Sequence, residues 1–323
     1  MADAALRAFQ IGLETTPGSG VPATRKFYCY NGKGSMEHDV ETRTIELDGS
    51  YDQRRDVVQG GKSGKATLPM PLDVSQIIEF LKMAVNGGAT GAKQGADDAW
   101  LWSFEPAASL KTATIEWDDA NKEWELPYSM VDEIKFSGEV GGTDVNVDVS
   151  VIGKNLVETT MTSGIADWTP NIMQGWEVAL LIDAFGTEPA TSIASTLIKW
   201  EYTIKNNLKQ RYFGDNIQTP GGVSRSGRTV DAKITLDAST EGNAEFANWL
   251  ATTKRNVGLM LGNNTVIDGA VKEYVKLIAP GAWTSSKIGE EEGSTIWELE
   301  FENIYDPTLG YGFKIDVMNA RSS

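Results

Sequence analysis

Apolar and polar residues alternate without a miss from Trp297 to Glu302. Trp297, Leu299 and Phe301 take one side; Glu298, Glu300 and Glu302 take the other. A period of two is the period of a β-strand, so this stretch is a strand with one apolar and one carboxylate face. Like charges on one strand face repel, so that face must meet water or basic groups. The same alternation sets Val145, Val147, Val149 and Val151 against Asp144, Asn146, Asp148 and Ser150, and it recurs at Val230, Ala232, Ile234 and Leu236. Further strands are expected at residues 27–30, 65–72, 112–117, 124–128, 131–136, 176–184, 197–204 and 274–278. Pro69 and Pro71 suit an edge position for the strand at 65–72.

Helical periodicity is confined to two short stretches. Ile77, Ile78, Leu81 and Val85 share one helical face behind a cap at Asp73 or Ser75, and Asn86-Gly87-Gly88 ends the helix. A second short helix is expected over residues 243–250. Two long polar stretches, 31–64 and 206–227, read as loops, and loops of such length usually have a task. Each lies between a strand and an alternating strand that leads into a short helix. Both halves therefore run strand, long loop, strand, short helix, hairpin, alternating strand, which suggests an internal repeat. Pattern is weakest over residues 160–174, around Pro170. The organisation expected is an N-terminal arm at 1–24, a first domain at 25–165 and a second at 166–323, both mainly β, each with one short flanking helix.

Composition narrows the chemistry. The 323 residues, 41% of them hydrophobic and ten of them Trp, suffice for two domain-sized cores. Asp and Glu number 45 against 29 Lys and Arg, for a formal charge of −16. An acidic chain does not hold a nucleic-acid backbone by counterion release. Cys29 and His38 stand alone of their kind, which excludes an internal disulfide and a structural zinc site. His38, among Glu37, Asp39 and Glu41, reads as a solvated loop residue rather than a catalytic base. The run from Gly60 to Ala66 imitates a phosphate loop, but it is one residue short and Ala66 replaces the magnesium-binding hydroxyl. Asp118 and Asp119 have no further ligands spaced to join them and read as a hairpin turn. No catalytic, cofactor-binding or metal residues are expected. The first residues carry no apolar signal segment and no run approaches a membrane span, so a protein made in a reducing cytoplasm is expected.

The opening Ile11-Gly12-Leu13-Glu14-Thr15-Thr16-Pro17-Gly18 with Val21-Pro22-Ala23-Thr24-Arg25, and the close Phe301-Glu302-Asn303-Ile304-Tyr305-Asp306-Pro307 with Gly310, Phe313-Lys314-Ile315 and Asn319, resemble the tail tube proteins of long-tailed bacteriophages. So does the middle, where Ser226-Gly227-Arg228-Thr229-Val230 follows a polar loop and leads into an alternating strand and short helix. The resemblance spans nearly the whole chain. It implies a mainly β fold of two tandem tail-tube-like β-sandwich, barrel-forming domains with long inter-strand loops. It further implies a structural virion protein with no cofactor, assembled in the host cytoplasm. Copies would form trimeric, pseudo-hexameric rings stacked into the tube of a non-contractile tail. Other tail proteins (tape measure, terminator, tail tip) would be partners, and DNA would pass through the lumen without specific binding.

Two sets of residues follow as candidates. Asp144, Asp148, Glu298, Glu300 and Glu302 are expected to line the lumen, where carboxylates would repel DNA phosphates. Arg54, Arg55, Lys62, Arg211 and Arg225, with Lys65, Lys209 and Arg228 near them, are expected to carry ring-to-ring contacts from the long loops. Two other readings stay open: the inner tube of a contractile tail, and a carbohydrate-binding β-sandwich adhesin whose Trp residues stack on sugars.

Overall fold

The computed structural model describes residues 7–49, 51–95 and 98–322, excepting the side chains of Asn263 and Asn264. The first half contains β1 (Ala8–Leu13), β2 (Arg25–Phe27), β3 (Ser35–Glu46), β4 (Arg54–Pro71), α1 (Ile77–Ala84), β5 (Gly91–Gln94), β6 (Ala99–Phe104), β7 (Ala113–Asp118), β8 (Glu123–Glu139), β9 (Asn146–Gly153) and β10 (Val157–Glu158). The second contains β11 (Val178–Ala184), β12 (Leu197–Lys205), β13 (Leu208–Arg211), β14 (Gly222–Arg225), β15 (Thr229–Asp237), α2 (Thr240–Leu250), β16 (Arg255–Asp268), β17 (Val271–Glu291), β18 (Ser294–Asn303) and β19 (Lys314–Asn319). The fold is mainly β, as the alternation requires.

One antiparallel layer runs through both halves in the order β3–β4–β9–β8–β12–β15–β18–β17. A second layer covers its apolar face with β2–β1–β7–β8–β10 on one side and β11–β16–β17–β19–β6–β5 on the other. β8 and β17 belong to both layers. Residues 123–129 of β8 pair with β7 and β10, and residues 130–139 pair with β9 and β12. β17 makes the same passage, from β16 and β19 to β18. Each strand shifts register at its corner, as a β-bulge does when a strand changes sheets.

The inward positions are those that alternation singled out. Val147, Val149, Val151, Val230, Ile234, Leu236, Leu299 and Phe301 are all buried in one apolar core. Trp200 and Tyr202 of β12 are 1% and 2% exposed, and burying a side chain of that size contributes roughly 2–3 kcal/mol. Trp297 is half-buried and stacks on Phe246 of α2, ring centroids 3.9 Å apart. The helices begin where capping chemistry allows. Asp73 Oδ1 accepts the Ser75 and Gln76 amides at 2.8 and 2.9 Å, and Ser239 Oγ accepts the Gly242 amide at 3.3 Å.

Three expectations change. Within the expected arm, residues 8–13 do not stand free: they form β1, which pairs with β7 and β2, and Phe9 and Ile11 are buried, while residues 1–6 lie outside the described residues. The stretch 31–64 is not a loop, because β3 and the first part of β4 form a long two-stranded ribbon. Its solvated residues have no apolar face to bury, so alternation could not mark it. The stretch 206–227 likewise contains the hairpin β13–β14.

Pairings recur between the halves. β1–β7, β3–β4, β4–β9, β8–β9, β7–β8 and β8–β10 have counterparts in β11–β16, β12–β15, β15–β18, β17–β18, β16–β17 and β17–β19. β8 and β12 then join the halves edge to edge.

Candidate assembly surface

The outward face of the central layer is mainly polar, with Pro69 and Ile152 among its few apolar positions. Its middle strands place Glu133, Glu139, Asp148, Glu201, Asp231, Glu298, Glu300 and Glu302 beside Lys135, Lys199, Lys205, Lys233 and Lys287. Carboxylates remain in excess. Strand pairing interleaves the signs: Glu300 lies opposite Lys233, and Glu298 opposite Lys287. Ion pairs follow at 2.9 Å for Lys135–Glu201, 3.1 Å for Lys233–Glu300 and 3.3 Å for Lys287–Glu298. Glu300 raises the Lys233 ammonium above the ordinary lysine value, chiefly by accepting its hydrogen bond. These are solvated pairs, each worth well under about 1 kcal/mol, so they set surface charge more than stability. A shallow hollow of about 440 Å³ lies on the face, between Glu133, Lys205, Asp231 and Glu302.

The carboxylate stripe at Glu298, Glu300 and Glu302 thus continues across β15, β12 and β8 to Asp148. Asp144 does not join it. It precedes β9, and its carboxylate accepts the Tyr30 hydroxyl and the Thr143 hydroxyl, the latter at 2.8 Å.

The basic candidates separate into two elements. Arg54 and Arg55 sit on the exposed ribbon, where Arg54 pairs with Glu46 at 3.3 Å. Arg211 and Arg225 end the paired segments of the β13–β14 hairpin, and Arg225 Nη2 donates to the Ala108 carbonyl at 3.3 Å. The hairpin region leans on the ribbon's base: the Lys62 amide donates to the Gln218 carbonyl at 2.8 Å. Gly61 lies under the Tyr212 ring, where a Cβ would come within 2.8 Å of it. The two polar stretches of the sequence therefore form one projecting unit, with Leu47, Val57, Tyr212, Phe213 and Ile217 exposed on it.

Among the described residues no group of three or more His, Cys, Asp or Glu could hold a metal. His38 belongs to β3 rather than a loop and stands edge-on to Trp124 at 5.7 Å. Burial pushes the Cys29 thiol well up, away from thiolate chemistry. No described helix is long and apolar enough to cross a membrane.

Two edges of the central layer are open. Among the described residues, β3 pairs only with β4, and the 282–291 segment of β17 pairs only with β18. Sequence reasoning missed both, since an open edge is a property of topology. A family model for the phage tail tube protein matches residues 4–290. The chain belongs to the phage tail tube family. A sequence search among curated proteins returns no match. Membership makes it a structural component of the virion tail that assembles with itself and with other tail proteins.

Proposed function

We propose that three copies close the central layer into a ring, and that stacked rings form the tube of a non-contractile tail through which DNA is ejected. The observation that carries this reading is the β8–β12 junction. It joins two copies of one pairing pattern edge to edge inside a single chain, and β17 and β3 are the same two edges left open. The halves are then two tail tube domains, meeting near residues 165–166. Eight antiparallel strands give β3 and β17 opposite polarity, so β17 of one copy can pair with β3 of the next as β8 pairs with β12.

Strand spacing favours three copies over two. Strands lie about 4.8 Å apart and tilt about 40° in a barrel, so three copies, roughly 24 strands, close at a backbone diameter of about 48 Å. Inward side chains take about 5 Å on each side and leave an opening of about 38 Å. Two copies, roughly 16 strands, leave only about 22 Å by the same arithmetic, too tight for a hydrated duplex. The polar face lines the opening in this arrangement. Its excess of carboxylates, Glu298, Glu300, Glu302 and Asp148 among them, keeps phosphates off the wall, while the interleaved lysines moderate the repulsion. Asp144 lies beyond the strand and is left out of this role. The projecting unit bearing Arg54, Arg55, Lys62, Arg211 and Arg225 reaches the next ring. Tape measure, terminator and tail tip proteins meet the tube at its ends and along its bore.

Negative-stain microscopy of the purified protein tests the reading. Stacked rings or hollow tubes are expected. A monodisperse small closed oligomer that never stacks, as a lectin-like protein would form, would overturn it.

A further inference from the structure

We infer the register in which neighbouring copies pair: Glu37 of one copy lies opposite Lys287 of the next, with Met36 opposite Ile288. The inference rests on the ring reading above and adds the residue-level contact.

Internal duplication supplies the alignment. The corner irregularities fall between Val131 and Glu133 in β8, and between Trp283 and Ser285 in β17. Val131 lies opposite Val151, which lies opposite Ala66, which lies opposite Met36. In the other half Trp283 lies opposite Phe301, Phe301 opposite Ala232, and Ala232 opposite Tyr202. Counting from these matched corners, Met36 corresponds to Tyr202, Glu37 to Thr203, Lys287 to Lys135 and Ile288 to Phe136. Within the chain, Tyr202 lies opposite Phe136 and Thr203 opposite Lys135. Repeating that junction between copies gives the stated pairs.

Two independent features of the open edges agree with this register. Phe136 is fully buried because β12 covers it, whereas its counterpart Ile288 is 62% exposed. Met36 of a neighbour would cover Ile288 as Tyr202 covers Phe136. Lys287 has a side chain 73% exposed beside Glu298, and the register sets a second carboxylate, Glu37, across from it. A slip of one residue would turn every side chain to the wrong face; a slip of two would set Gly34 or His38 against Ile288 in place of Met36, and only the slip that brings up Asp39 would keep a carboxylate across from Lys287.

Cysteine pairs read the register directly. In a Cys29→Ser background, Glu37→Cys with Lys287→Cys is compared with two pairs slipped by two residues: Ser35→Cys with Lys287→Cys, and Asp39→Cys with Lys287→Cys. Directly opposed residues have Cα atoms about 4.5–5.5 Å apart, within disulfide reach, while diagonal ones at about 7–8 Å are beyond it. Oxidised tubes of the first pair are expected to give covalent dimers and trimers and nothing larger, about tenfold above either slipped pair. Tubes in which a slipped pair dominates, or in which none of the pairs links copies, overturn the register and leave the ring reading standing. If the parent chain forms no tubes or rings, the ring reading fails and the register with it. Ile288→Glu is a second readout. The residue is exposed in the single chain, so its melting temperature should be unchanged while tubes disappear; tubes that form normally overturn the pairing.

Discussion

Replacing Glu245 with alanine should destabilise the chain sharply. The Glu245 side chain is 3% exposed, and its carboxylate accepts Arg255 Nη2 at 2.9 Å, Trp283 Nε1 at 2.9 Å and Asn248 Nδ2 at 3.1 Å. These bonds tie α2 to β16 and to the corner of β17. Alanine leaves the Arg255 charge and the Trp283 donor without their acceptor, and breaking a buried pair from one side costs about 3–5 kcal/mol. Unfolding entropy of about 2.1 cal/mol/K per residue gives roughly 0.7 kcal/mol/K for this chain, so the melting temperature should fall by roughly 4–7 °C. Trp283→Phe removes one donor and keeps the ion pair, and should cost only about 1–2 °C. Circular dichroism melts of both variants decide it. If Glu245→Ala melts within about 1 °C of the parent, the site is solvated and the buried-pair reasoning is wrong.

Arg321→Ala should cost about 3 kcal/mol in urea unfolding, because Arg321 is paired with the Glu79 carboxylate in a site where both side chains are nearly buried; an unchanged midpoint would refute this. Gly61→Val should push Tyr212 aside and loosen the β13–β14 hairpin, read as faster tryptic cleavage at Arg211 and Arg225 with little change in melting; unchanged cleavage would show that the ribbon does not hold the hairpin. Asp183 is held below the ordinary aspartate value, first by backbone hydrogen bonds from Ala190 and Thr191. Its folded pKa is depressed, so its contribution is present above the unfolded value and lost as pH falls through the folded one. Asp183→Asn should therefore melt below the parent at about pH 7 and together with it near about pH 2, and equal melting at both would contradict the assignment.

Local chemistry made much of the fold legible. The strand faces at Val147–Val149–Val151, Val230–Leu236 and Leu299–Phe301 bury the residues that alternation put inward, and α1 starts just behind the expected Asp73, whereas α2 begins three residues before the expected 243. Solvation hid the ribbon of β3 and β4, because strands wet on both faces show no period of two. Phe9 and Ile11 alternate with Gln10, yet the stretch is short, and only its pairing with β7 marks it as core. Lysines beside the carboxylate stripe come from β15 and β17, and no local pattern announces a cross-strand neighbour. The two open edges were least visible of all, since they exist only once every other pairing is fixed.

In the proposed ring, β17 of one copy continues into β3 of the next until three copies close. Cryo-electron microscopy of the assembled protein, averaged down the tube axis, tests it most directly. Rings of three chains with pseudo-sixfold density, a continuous barrel of about 24 strands, and Glu298, Glu300 and Glu302 on the inner wall are expected. A ring of another copy number, or one in which β3 and β17 stay unpaired and the carboxylate face points outward, would contradict it.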